Sequence, residues 1–114
     1  MLTIDNLKEF GANTEEGLAR CLNNEGFYLN LVKSVQNDTN IAVLKDAIAA
    51  NDLDTAFEAA HALKGVLGNL SLTPVLEPCA EITELLRARA DADYAPLLLK
   101  LEERFNTLLE LCRD

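Results

Sequence analysis

Histidine occurs once in this chain of 114 residues, and cysteine three times without any Cys-x-x-Cys spacing. A single histidine and no cluster of ligand-type residues leave out a hydrolase triad and a metal centre, since each needs several such side chains together. The odd cysteine count, with Cys21, Cys79 and Cys112 each on an apolar helix stripe, predicts buried thiols in a reducing cytoplasm and no disulfide. Basic residues are also short: 10 Lys and Arg stand against 19 Asp and Glu, a net charge of −9. A phosphate backbone needs a basic face, so this balance argues against nucleic acid as a direct partner. Apolar runs are broken every few residues by charge, and none has the length of a membrane span. The opening residues Met1-Leu2-Thr3-Ile4-Asp5 lack the basic start and apolar stretch of a signal peptide. The expectation is a small soluble cytoplasmic protein, one domain over residues 1–114, monomeric and without a cofactor.

Glycine is scarce as well, and two of the five glycines, Gly65 and Gly68, lie close to that one histidine. From Leu53 onward, apolar residues recur at Ala56, Phe57, Ala60, Leu63, Leu67 and Leu70, which is the spacing of an amphipathic helix. His61 falls off the centre of this stripe, with Gly65 one turn on and Gly68 two turns on. A glycine inside a helix costs about 1 kcal/mol relative to alanine. Two of them on the face of the histidine predict a flank kept open for a large partner. Lys64 lies three residues from His61, near anything attached to the ring. A largely neutral imidazole keeps a lone pair and can attack phosphorus, and Lys64 can offset the charge of the resulting phosphohistidine.

The rest of the chain, 49% hydrophobic, also reads as helix. Leu7 and Phe10 sit on a short turn or helix ending at Gly11. Asn13 with Glu16 three residues later forms a capping box for a second short helix bearing Leu18, Cys21 and Leu22, stopped at Asn23-Asn24. Asn24 caps the next helix, whose stripe of Tyr28, Leu31, Val32 and Val35 resumes after Asn37-Asp38-Thr39-Asn40 with Ile41, Leu44, Ala47 and Ile48. Either one long helix kinked near 37–40 or two helices meeting there satisfies the pattern; the nearly in-phase stripe favours the kinked helix. Asn51-Asp52 supplies the turn and cap for the central helix, 53–70. Thr73-Pro74 starts the next helix with Thr73 as cap, and Pro78 makes its first turn irregular, with regular helix from there. The last helix runs in register from Tyr94 to Cys112. Glu102-Glu103 and Lys45 read as solvated helix surface. The fold class is therefore all-α: an antiparallel up-down four-helix bundle over 24–114, covered at one end by one or two short extra helices in 1–23.

The string His61-Ala62-Leu63-Lys64-Gly65 resembles the His-x-Leu-Lys-Gly motif of histidine-containing phosphotransfer (HPt) domains, of the stand-alone bacterial type. The resemblance extends from about Phe27 to the C-terminus and includes the Asn-Asp turn and a small residue, Cys79, on the following helix. Residues 15–22 look like the lead-in of small bacterial members. The resemblance implies a helical bundle with an exposed histidine midway along one helix. It implies that His61 takes a phosphoryl group from a receiver-domain aspartate and passes it to another, with receivers, including that of a hybrid sensor kinase, as partners. Gly65 and Gly68 would form the docking surface. Such a protein is a phosphotransfer intermediate and not an autonomous kinase.

Two positions depart from the family pattern. Ser71 stands ten residues after the histidine, where glycine is usual. Thr83 stands twenty-two residues after it, where a glutamine or glutamate often bonds the ring nitrogen. The Thr83 hydroxyl can accept that bond, its short reach calling for a bridging water, or Thr83 is an edge-of-core residue. A receiver-docking or adaptor bundle that transfers no phosphate is the alternative function; the presence of both His61 and Lys64 favours the carrier.

Overall fold

The computed structural model describes residues 1–113, and among these are seven α-helices, one 3-10 turn and no strand. The helices are α1 (Ile4–Phe10), α2 (Thr14–Arg20), α3 (Glu25–Ser34), α4 (Asn40–Ala49), α5 (Leu53–Asn69), α6 (Thr73–Arg87) and α7 (Ala95–Leu111), with the 3-10 turn at Val35–Asn37. The all-α expectation holds. The histidine helix α5 is the hub: it packs between α4 and α6, and α6 in turn packs on α7. Leu63 and Leu67 of α5, Ile82 and Leu86 of α6, and Leu101 and Leu108 of α7 are fully buried. Each such side chain contributes about 1.5–3 kcal/mol through burial.

Tight turns set the ends of α5. Asn51 adopts a left-handed conformation (φ 56), and the Asp52 carboxylate caps the helix by accepting the Thr55 amide at 3.2 Å and the Thr55 hydroxyl at 2.7 Å. These bonds favour the charged form and hold the Asp52 carboxyl below its ordinary value. Its contribution is therefore present above the usual carboxylate range and fades as pH falls through the lowered folded value.

At the other end, α3, α2 and its N-cap Asn13 bond to carbonyls at and just past the C-terminus of α5, where a helix leaves acceptors to be filled. The Tyr28 hydroxyl donates to the Leu70 carbonyl at 2.8 Å, the Asn13 amide to the Ser71 carbonyl at 3.0 Å, and Arg20 to the Gly68 carbonyl. The Ser71 hydroxyl also donates to Glu16 at 2.9 Å. Burial, with the nearby Cys21 second, pushes the Tyr28 phenol up to about 12, so it stays a neutral donor at any ordinary pH.

Three expectations are corrected. The segment 24–50 is not one kinked helix. It ends as α-helix at Ser34, turns through Val35–Asn37, becomes extended at Asp38 (φ −75, ψ 126), and restarts at Asn40, whose amide bonds the Asp38 carboxylate at 2.8 Å. Short polar side chains that bond nearby backbone compete with helix, and here they win over the in-phase apolar stripe.

The helix α6 is regular from Thr73, with Leu72 and not Thr73 at its N-cap and Pro78 inside it. Pro78 has no N–H to give the Pro74 carbonyl, but Arg104 of α7 donates to that carbonyl at 2.8 Å and removes the deficit. Leu22 does not join a buried stripe either; α2 ends at Arg20, and Leu22 is left-handed (φ 58) and 88% exposed.

Candidate functional site

The buried face of α5 is built from small residues opposite its neighbours: Ala56, Ala59 and Ala60, with Leu63 and Leu67 below them. The three alanines let α6 come close, and the Cys79 thiol donates to the Ala60 carbonyl at 3.5 Å. Burial pushes Cys79 up to about 11, against the smaller lowering effects of the Thr83 hydroxyl and the Lys64 charge, so it is an inert thiol beneath the site. Cys21, Cys79 and Cys112 are all free and buried, as expected.

The outer face of the same helix carries His61. His61 and Gly65 are exposed, and Lys64 and Gly68 are half-buried. Positions 57, 61, 64, 65 and 68 follow one another along one side at helical spacing. A Cβ placed on Gly65 or Gly68 would meet nothing within 4 Å, so the flank toward the C-terminal end of α5 is bare. Toward the N-terminal end the ring is covered. Phe57 lies one turn back with its ring 5.6 Å from the imidazole, centroid to centroid, and 16° from parallel. Arg87 and Arg89 of α6 and its exit bring their guanidinium carbons to 5.1 and 5.4 Å from the Phe57 centroid. Arg89 is fixed in turn by Asp54 at 2.6 Å.

Lys64 Nζ lies 3.7 Å from one carboxylate oxygen of Glu84, whose other oxygen is 3.3 Å from Arg87 Nε. With 36% of the Lys64 side chain and 58% of Glu84 exposed, the long Lys64–Glu84 pair is one of those worth about 0–1 kcal/mol, and Lys64 is easily drawn to a stronger anion. Thr83 is fully buried, and its hydroxyl donates to the Cys79 carbonyl at 2.7 Å, within its own helix. The structure thus brings His61, Lys64, Gly65 and Gly68 to one face and leaves Thr83 beneath it, out of hydrogen-bond contact with the ring. Glu84, the next residue, is the one whose side chain reaches the site. Sequence reasoning missed Glu84, Arg87, Arg89 and the role of Phe57. The i, i+4 spacing of Phe57 and His61 was visible, whereas the α6 residues require tertiary packing to be placed.

A bundle helix that turns one reachable imidazole to solvent, beside an ammonium and a bare flank, is a scaffold for carrying a group on that ring. The Hpt domain family model matches residues 34–111, and the chain belongs to the Hpt domain family. The match covers α4 to α7 and begins at the end of α3, so α1 and α2 lie outside it. No match was found among curated proteins or among solved structures. Hpt domains serve histidine phosphotransfer in two-component phosphorelays and interact with receiver domains. Among the described residues no helix is long and apolar enough to cross a membrane, and no group of side chains suits a metal ion.

Proposed function

We propose that this chain is a phosphorelay carrier in which His61 accepts a phosphoryl group from a receiver-domain aspartate and returns it to another. In the forward step the free ring nitrogen forms the P–N bond as the P–O bond to the aspartate breaks, its electron pair leaving with the carboxylate. The imidazolium so formed gives the proton on its other nitrogen to solvent. In the reverse step the ring takes a proton back from solvent on that other nitrogen. A receiver carboxylate forms the P–O bond as the P–N bond breaks, and the pair left on the ring nitrogen restores the neutral imidazole. Lys64 leaves Glu84 to meet the phosphoryl oxygens, since a charge-assisted bond to a phosphoryl dianion is stronger than an exposed pair with one carboxylate. Gly65 and Gly68 give the receiver room. The partners are receiver domains, that of a hybrid sensor kinase among them, and the chain acts in the cytoplasm as a monomeric intermediate and not as a kinase.

The observation that carries this reading is the solvent-facing imidazole, covered on the Phe57 side and open on the Gly65 side. The test is to mix the protein with phosphorylated receivers and look for acid-labile, base-stable label. Its absence with every receiver would leave the docking-bundle alternative. Under the same conditions Lys64→Ala is expected to transfer roughly tenfold more slowly, the loss of about one charged hydrogen bond. Its stability should stay within about 0.5 kcal/mol of the parent in a denaturant titration. Equal rates would reduce Lys64 to a solubilising residue.

Gly65→Gln should pull stability and transfer apart. The open space around Gly65 admits a side chain, so the variant is expected to gain up to about 1 kcal/mol, or roughly 4 °C in melting temperature. The new side chain enters the space of the receiver, so transfer should slow and receiver binding weaken in a titration. A wild-type transfer rate would mean that the partner does not approach over Gly65.

A further inference from the structure

We infer that Phe57 is a positioning residue for the phosphoryl-accepting imidazole, held in place for that role by Arg87 and Arg89. The inference rests on the reading of His61 as the phosphoryl carrier. An exposed histidine on a helix ordinarily samples several rotamers, and a ring that must meet phosphorus in line loses rate with every rotamer that points elsewhere. Here one ring face is stacked on Phe57 at 5.6 Å and 16°, which selects the rotamer that leans back along the helix. The Phe57 ring is itself restrained. Two guanidinium groups lie within 5.4 Å of its centroid, Arg89 is tied to Asp54, and Arg87 to Glu84. Cations over an aromatic face are attracted to its quadrupole, so both arginines favour the ring orientation that His61 uses.

The arrangement is also one-sided. Phe57, with Arg87 and Arg89 over its ring, stands on the side of the imidazole toward the N-terminal half of α5, whereas the bare glycines open the C-terminal half. A phosphoryl donor therefore reaches the imidazole from the Gly65 side, with the Phe57 stack behind the ring as a backstop. Phe57 is half-buried and packs against the edge of the core, whereas Leu63 and Leu67 are fully buried within it.

The experiment compares Phe57→Leu and Phe57→Tyr with the parent, using one phosphorylated receiver and, separately, phosphoramidate as a small donor. Leucine keeps apolar bulk and helix propensity but removes the ring; tyrosine restores it. Phe57→Leu is expected to lower the single-turnover transfer rate at saturating receiver roughly tenfold. Half-saturation by the receiver should change less than twofold. The His61 ring-proton resonances should move as the ring current of Phe57 is lost, and Phe57→Tyr should restore both rate and resonances. Slower phosphoramidate labelling of Phe57→Leu would support the same conclusion without a partner. A Phe57→Leu protein that folds, shows the shifted resonances and transfers at the parent rate would overturn the positioning role alone. A parent protein labelled by neither donor would overturn the carrier reading, and this inference with it.

Discussion

Replacing His61 with glutamine is expected to give a folded helical protein that takes no label from a phosphorylated receiver. Glutamine keeps a polar side chain of similar reach on the solvent face of α5 but has no nucleophilic nitrogen. Because His61 is exposed, nothing in the core depends on it. The loss should be confined to its stack on Phe57, about 0.5–1.5 kcal/mol at most. The effect on transfer is total and not graded, because this is the only histidine in the chain. Circular dichroism and label retention on the same sample decide the matter. Label that persists on the folded variant would place the phosphoryl group on another residue and end the His61 assignment.

The largest expected loss of stability lies outside the family match, at Gly17 on α2. A Cβ there would stand 2.5 Å from Cε1 and 2.7 Å from both Cζ and the hydroxyl oxygen of Tyr28. Tyr28 is fully buried and donates to the Leu70 carbonyl at the end of α5. Its ring can move aside only by giving up that bond and disturbing its packing. Overpacking costs about 1–3 kcal/mol and an orphaned buried polar group about 1–3 more. The gain from replacing a helical glycine by alanine is about 1 kcal/mol. Gly17→Ala is therefore expected to destabilise by about 1–5 kcal/mol in a denaturant titration, although the same change at Gly65 should stabilise. A Gly17→Ala protein as stable as the parent would show that the Tyr28 ring yields freely, and that α2 is not clamped to the histidine helix.

How far the sequence could be read follows from where the determining contacts lie. The histidine helix was legible to within a residue, 53–70 against Leu53–Asn69, because its cap, its stripe and its polar face are all local. The placement of exposed His61 and Gly65, with half-buried Gly68 a turn on, along its far side follows from the same periodicity. Regular helix through Pro78 is not legible locally, because the group that rescues it, Arg104, is twenty-six residues away on α7. Ser71, where the family pattern has glycine, takes the left-handed conformation (φ 55) that suits glycine better. Its hydroxyl compensates by reaching Glu16 on α2, a partner no local rule supplies. An ungapped count along the chain points to Thr83, yet the helical register turns it inward and offers Glu84 to the site instead. Phe57 carries the spacing of the apolar stripe and stands one turn from His61, both of which are local, whereas the two guanidinium groups beside its ring come from α6 and its exit and follow from no local rule.

The central claim is that this member of the Hpt domain family carries phosphate on His61. It is tested most directly by peptide mapping of the wild-type protein after incubation with a phosphorylated receiver, with parallel acid and base treatment. The account predicts one phosphoryl group, on the peptide containing His61, lost in acid and kept in base, and returned to an unphosphorylated receiver on mixing. A phosphoryl group found on any other peptide, or none on a protein that binds the receiver, would contradict it.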